Sequence, residues 1–362
     1  MTPIQIEDNI LASADLIEIC HQFGSRVAII TDSHVEEFYG RRLEKHFKNH
    51  DLNVHLFSFP GGEFYKTRTT KEMIEDQMMQ HGLGRDTCVL GLGGGVTLDL
   101  AGFIASTYCR GLPFISCPTS LLAMVDSAIG GKAGVNTSFG KNLIGSFYSP
   151  EMIFIDPTAL RTLPKKEVRN GLMEMVKHGL IADPLYFELF EKHAAKLIDC
   201  DPALMSEAIE GSCRIKQAIV KADAKEKQGI RRLLNFGHTV GHALEQVANY
   251  QVSHGEAVAL GMLVEARISR QLGRLNQDAY QRIEQLITKL HPELPQITAS
   301  MESLKEAMAL DKKAQKNVAR FVILQAIGSP LECDGEYCME VKDKILDAAL
   351  TQTAAGNLSL NP

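Results

Sequence analysis

The chain reads as an α/β protein: an N-terminal domain with a Rossmann-like parallel sheet over residues 1–157, then a mostly α-helical domain over 158–362. Three observations predict this. Short β-branched runs alternate with amphipathic stretches through the first half, the pattern of parallel strands covered by helices. A glycine-rich turn, Gly91-Leu92-Gly93-Gly94-Gly95, joins one such strand to one such helix. From about residue 158 onward, long stretches follow a helical period of about 3.6.

Strands are expected at 26–32 (RVAIITD), 54–59 (VHLFSF), 87–93 (TCVLGLG), 113–118 (PFISCP) and 152–156 (MIFID). Helices lie between them, for example at 67–81 and 97–108. Ligands of such sheets bind at the carboxyl ends of the strands. The second half predicts helices at 166–181, 184–197, 202–224, 235–248, 254–272, 278–290 and 301–310. Pro157, Pro164, Pro184 and Pro202 sit at their starts or breaks. One strand-like run follows at 320–328, and the last dozen residues read as a loose tail.

Composition narrows the function classes. The chain is 45% hydrophobic and 23% charged, as a globular protein with a sizeable core is. A net charge of −6 argues against a general nucleic-acid binder. Arg41, Arg42, Lys45 and Lys48 are interleaved with Leu43, Glu44 and Phe47, so they read as a solvated helix face. No apolar run reaches the ~18 residues a membrane span needs, and the N-terminus lacks a signal-peptide pattern. Eight scattered cysteines form no Cys-x-x-Cys pair and read as buried thiols of a reducing compartment. A cytoplasmic protein with no membrane partner is expected.

The segment from Cys213 to His254 carries the densest chemistry. His238 and His242, four apart, can share one helix face, with Arg231 and Asn235 upstream on roughly the same side of that helix. Imidazoles suit zinc; guanidinium and amide groups suit phosphate or carboxylate oxygens. Two histidines at this spacing are as often packing as ligation. With Glu174 and His254, however, they make a site of one carboxylate and two imidazoles with positions open to substrate oxygens. The glutamate of a zinc-protease helix is missing, so peptide hydrolysis is not implied. Glu174 and Lys177 lie three apart among Leu172, Met173, Met175, Val176 and Leu180. An acid and a base there need a partner or a metal, or each other. His178 beside them reads as a packing histidine.

The glycine run leads into Asp99 and fits a pyrophosphate at a helix N-terminus, or a bare tight turn. Its spacing is not the standard Gly-x-Gly-x-x-Gly. Pro60-Gly61-Gly62-Glu63 offers a second loop over the same ligand, with Glu63 and Lys66 otherwise a surface pair. Asp126, Lys132, Asn136, Lys141 and Asn142 fall within 17 residues of a glycine-rich stretch, read as a loop that binds phosphate or carboxylate, or as a solvated surface loop.

Taken in order, PGGEFYK, GGGVTLDLAGF, TYCRG, CPTSLLAMVDSAIGGKAGVN, GKNLIGSFY, LRTLPKKEVRNGLMEMVKHG, LLNFGHTVGHALE and HGEAVALGM resemble the 3-dehydroquinate synthase family of sugar phosphate cyclases, over about residues 60–270. The resemblance implies metal ligands Glu174, His238 and His254, holding zinc, or cobalt as an alternative. It implies NAD contacts at Asp32, Glu63, Lys66, Gly94, Gly95, Asp99, Thr119, Leu122, Thr162, Leu163 and Glu167, with Lys141 near the NAD. It implies substrate contacts at Asp126, Lys132, Asn142, Lys177, Lys216, Arg231, Asn235 and His242, with Glu226 nearby. Arg110 is expected to reach a neighbouring subunit's site in a homodimer, and Lys312 or Lys313 to meet the substrate.

Departures from the family pattern are Leu98 before Asp99, Ser120, Met124, Met173 before Glu174, and Ala224. None removes an implied ligand. The implied reaction converts 3-deoxy-D-arabino-heptulosonate 7-phosphate to 3-dehydroquinate and phosphate in the shikimate pathway. It runs through transient oxidation by NAD, phosphate elimination, reduction and aldol closure. The rivals are a related cyclase acting on sedoheptulose 7-phosphate, a metal-dependent glycerol or alcohol dehydrogenase, and a regulatory or scaffolding relative that keeps the fold, against which the intact candidate ligands argue. Lys216 and Arg231 argue against the first, since both suit a carboxylate.

Overall fold

In the computed structural model, residues 2–223, 226, 228–310, 318–333, 335–353 and 358–361 are described. They form two compact units, residues 1–167 and 168–362.

The first unit is built on a six-stranded sheet. Its elements in chain order are β1 (Ile4–Ile6), α1 (Ala14–Phe23), β2 (Arg26–Asp32), α2 (Ser33–Val35), α3 (Arg41–Lys48), β3 (Asn53–Phe59), α4 (Arg68–Gln80), β4 (Thr87–Gly93), α5 (Gly95–Thr107), β5 (Phe114–Pro118), α6 (Ala128–Gly130), β6 (Lys132–Thr137), β7 (Gly140–Phe147) and β8 (Met152–Ile155). The sheet order is β1-β8-β5-β4-β2-β3, and its pairs are parallel. The chain leaves β2 toward β3, crosses back to β4 and continues to β5 and β8. The order therefore reverses between β2 and β4, where open α/β sheets bind ligands. Asp32 ends β2 and Gly93 ends β4 at that crevice.

Each sheet face has its own apolar layer. Leu16 and Cys20 of α1, with Leu43 and Phe47 of α3, cover one; Ile74 and Met78 of α4, with Leu100 and Ile104 of α5, cover the other. Side chains of this size contribute about 1.5–3 kcal/mol each when fully buried. Arg41 and Arg42 stay exposed on α3, as its sequence pattern predicts.

Two elements differ from expectation. The stretch read as a loop is largely an antiparallel hairpin, β6–β7, in which Gly134 faces Gly145. Its glycines dilute the apolar alternation that marks strands. The short strand β1 carries only three residues of pattern and pairs with β8.

The second unit is mostly helical: α7 (Lys165–Ala182, which begins in the first unit), α8 (Pro184–Ile198), α9 (Pro202–Ala222), α10 (His238–Val247), α11 (His254–Gln271), α12 (Gln277–Leu290), β9 (Ile297–Ser300), α13 (Met301–Leu310), four short strands β10 (Arg320–Phe321), β11 (Leu324–Ala326), β12 (Ser329–Pro330) and β13 (Met339–Glu340), then α14 (Asp343–Thr353) and β14 (Leu358–Asn361). Pro184 and Pro202 open α8 and α9, where a missing N–H costs nothing, and Asp183 and Asp201 cap them by accepting from backbone amides. Residues 255–269 of α11 are all buried, so this helix is the core of the unit.

The strand-like run 320–328 is split. Arg320–Phe321 pairs with Met339–Glu340, and Leu324–Ala326 turns back on Ser329–Pro330. The expected loose tail is in part ordered: β14 pairs in parallel with β9. Among the described residues no helix is long and apolar enough to cross a membrane.

Candidate active site

The second unit places three donors together. Glu174 is fully buried on α7. Its Oε1 lies 3.5 Å from His238 Nε2 and 3.8 Å from His254 Nε2. That oxygen makes no hydrogen bond among the described residues. Its partner oxygen, Oε2, accepts from Lys177 Nζ, itself 1% exposed. His238 Nδ1 faces the Phe236 carbonyl at 3.2 Å, which assigns the ring proton to Nδ1 and leaves the Nε2 lone pair toward Glu174. The three donor atoms lie within 4.8 Å of one another. A buried carboxylate oxygen with two imidazole Nε2 atoms converging on it fits a divalent cation, and the donor set suits zinc.

Local sequence explains how these side chains are held. Ser253 caps α11 in a capping box with Glu256: Ser253 N donates to Glu256 Oε2 at 2.8 Å. The Ser253 hydroxyl also lies 2.8 Å from Asn170 Oδ1, one turn before Glu174 on α7. Gly255 packs so closely on Asn170 that a Cβ would come within 2.4 Å of its Cα. His254, the first residue of α11, is thereby fixed beside Glu174.

One expectation is corrected. Arg231 and Asn235 do not share a helix with the histidines. They lie in a 3-10 segment, Ile230–Asn235, and α10 begins at His238. Gly237 breaks the run with φ 81, pressed against α11 where a Cβ would lie 2.9 Å from Met262 N. Arg231 is buried, its Nε 3.1 Å from Glu226 Oε1 and its amide bonded to Asp223 Oδ2 at 3.3 Å. Lys216 is buried on α9. The His242 ring centroid lies 5.3 Å from that of His238 and 6.1 Å from that of His254. Asn235 is half-buried. His178 is buried, with Nδ1 2.6 Å from Ser212 Oγ, as a packing histidine is. Ala224, Lys312 and Lys313 lie outside the described residues.

The first unit assembles a second cluster. Buried Lys66 places Nζ 2.5 Å from Asp99 Oδ2 and 2.6 Å from Asn142 Oδ1. Asn136 donates to Glu63 Oε1 at 2.7 Å and accepts from the Asn142 amide at 3.0 Å. Asn142 is held at φ 55. Lys66 therefore pairs with Asp99 rather than with Glu63. Burial pushes the Asp99 carboxyl up, and Lys66 only partly offsets it. Asp32 Oδ1 accepts from the His34 and Val35 amides, while Oδ2 accepts from Thr97 Oγ1 at 3.0 Å.

Gly94 caps α5, Gly95 is its first residue, and the Thr119 amide bonds the Gly93 carbonyl at 3.0 Å. Leu122 and Asp126 are half-buried on the helical run that leads into α6, and Lys141 is half-buried on β7. Lys132 is exposed at the start of β6. Thr162 Oγ1 lies 2.8 Å from the Tyr39 hydroxyl, Leu163 follows it, and Glu167 sits in the first turn of α7. Arg110 is exposed at φ 70.

Sequence reasoning passed over Asn170, Ser253 and Glu245. The Ser-x-x-Glu spacing of 253–256 is a capping-box signal that could have marked Ser253.

The model of the 3-dehydroquinate synthase N-terminal region matches residues 56–170, and that of the C-terminal region matches residues 171–314. The chain belongs to the 3-dehydroquinate synthase family. A 3-dehydroquinate synthase from Nitrosomonas europaea is 42% identical over 328 residues, covering 90% of this chain and 88% of that protein. Among solved structures, ValA, a 2-epi-5-epi-valiolone synthase from Streptomyces hygroscopicus subsp. jinggangensis with NAD+ and Zn2+ bound, superposes with TM-score 0.88 at 28% identity, over 98% of this chain and 97% of that one. A 2-deoxy-scyllo-inosose synthase complexed with carbaglucose-6-phosphate, NAD+ and Co2+ gives TM-score 0.87 at 26% identity, over 96% and 95%. The fold shared with this family is the α/β first half and helical second half expected from the sequence.

Proposed function

We propose that the chain is a phosphate-eliminating, carbocycle-forming lyase. It converts 3-deoxy-D-arabino-heptulosonate 7-phosphate to 3-dehydroquinate and phosphate in the shikimate pathway. The observation that carries the reading is the Glu174 carboxylate oxygen facing two imidazole Nε2 atoms, in a chain of this family.

Glu174, His238 and His254 hold zinc, and the turn at Gly94 and Gly95, with Asp32, Glu63, Lys66 and Asp99, binds NAD. When bound, NAD supplies a reversible hydride acceptor and the metal a Lewis acid for substrate hydroxyls. Lys177 donates from Nζ to Glu174 Oε2 and so orients that carboxylate, leaving Oε1 toward the two imidazoles. Arg231 and Lys216 bind the substrate carboxylate, for which a guanidinium supplies two aligned donors. Asp126, Lys132, Asn142, Asn235 and His242 orient the rest of the substrate. The functional division, with most NAD contacts on residues 1–157 and the metal and most substrate contacts on 158–362, belongs to the same proposal.

The active form is a homodimer in the cytoplasm. Support for the dimer comes from the hairpin, where Phe139, Leu143 and Phe147 are exposed; support for the compartment comes from eight free cysteines. Phosphate release from the heptulosonate phosphate, with and without chelator and NAD, tests the activity. Release that needs both NAD and metal supports it. Equal turnover of sedoheptulose 7-phosphate would move the chain to the related cyclases.

A further inference from the structure

Glu245 takes no part in the reaction outlined above, yet its carboxylate is aimed at the metal centre. It lies on the last turns of α10 and is buried. Its backbone carbonyl accepts from the Tyr250 amide at 2.7 Å, at a reversal where Asn249 and Tyr250 both have positive φ. That reversal brings the chain back to His254, and Glu245 Oε2 then lies 3.5 Å from His254 Nδ1.

His254 therefore has a carboxylate on each side of its ring: Glu174 Oε1 faces Nε2, and Glu245 Oε2 faces Nδ1. A neutral imidazole carries one proton. On Nδ1, between ring and carboxylate, it frees the Nε2 lone pair for a cation. On Nε2, it would occupy the position the cation needs. A carboxylate behind a ligating histidine fixes its tautomer and orientation and raises its basicity.

We propose that Glu245 is a positioning residue for the metal centre: it accepts the Nδ1 proton of His254 and so directs Nε2 toward the site shared with Glu174 and His238. The inference rests on the metal site of the proposed function. It adds a residue that sets how tightly the ion is held. The geometry also offers a competing arrangement, since His242, Glu245 and His254 form a second set of donors within 4.8 Å of one another.

The test is metal affinity rather than turnover. Zinc is titrated into apo-protein against a competing chelator for wild type, Glu245→Gln, Glu245→Ala, Glu174→Ala and His254→Ala, and the visible absorption of each Co2+ form is recorded. Positioning predicts that Glu245→Ala binds zinc about 10–100-fold more weakly, the usual cost of losing such a partner. Glu245→Gln should lose about tenfold, because its amide oxygen still accepts the Nδ1 proton; being isosteric, it carries the test if the alanine variant does not fold. The Co2+ spectrum should keep its wild-type shape in both, because the ligands are unchanged.

Wild-type affinity in both Glu245 variants, with zinc lost in His254→Ala, overturns the inference and leaves the metal site standing. A Co2+ spectrum altered in Glu245→Ala, with zinc retained in Glu174→Ala, makes Glu245 a ligand and overturns it too. Undiminished zinc in His254→Ala removes the metal-site reading and the inference with it.

Discussion

Lys66 Nζ lies 2.5 Å from Asp99 Oδ2, and this pair joins the loop after β3 to the helix after β4. Lys66 is buried, and burial holds the Asp99 carboxyl above the usual aspartate range. A carboxyl raised in the folded state binds more protons there than in the unfolded chain. Stability from this group is therefore greatest at low pH and falls as pH rises through the window from the ordinary value to the raised one. Urea denaturation of wild type and Asp99→Asn across that window should show wild type losing ground to the variant as pH rises. A stability difference that does not vary with pH would contradict the raised value.

Gly237→Ala should destabilise the second unit by about 2–5 kcal/mol. The left-handed backbone costs roughly 1–2 kcal/mol for an L-residue, and forcing a methyl into a packed site costs about 1–3 kcal/mol. The methyl would meet Met262 Cγ at 2.6 Å and the backbone atoms Met262 N and Val258 O at 2.9 Å, and the backbone atoms have little room to move. The urea midpoint measures this, and an unchanged midpoint would mean the turn relaxes freely.

The sequence carried much of this architecture, and its failures have identifiable causes. Helices at 166–181, 184–197 and 254–272 stood out because long apolar faces repeat with helical spacing. Glu174 stood out because a carboxylate in LMEMV has no solvent to face. The spacing of Arg231, Asn235, His238 and His242 is also helical, but it hides a break. Gly237 is what allows the close approach to α11, and tertiary packing of that kind leaves no periodic trace. Glu245 in GHALEQ looks like any polar face of an amphipathic helix; only the reversal after α10 turns it toward His254.

Arg231→Ala should weaken binding of the heptulosonate phosphate by about 2–5 kcal/mol, as truncating one partner of a buried charge pair does. The loss should be specific to the carboxylate. Sedoheptulose 7-phosphate, which lacks it, should bind wild type poorly and lose little more in the variant. Equal losses for both ligands, measured by calorimetry, would place Arg231 away from the carboxylate.

His254→Ala should remove most bound metal and most activity, because a three-ligand site then keeps only Glu174 and His238. Metal content of the purified variant, measured by atomic emission, checks this. Stoichiometric zinc in His254→Ala would contradict the assignment.

The central claim is that NAD is recycled within each turnover rather than consumed, and simultaneous measurement of phosphate and NADH tests it most directly. With the heptulosonate phosphate in large excess over NAD, the account predicts one phosphate per substrate converted and no NADH accumulating beyond the amount of enzyme. NADH rising in step with product would contradict it and make the chain a net dehydrogenase.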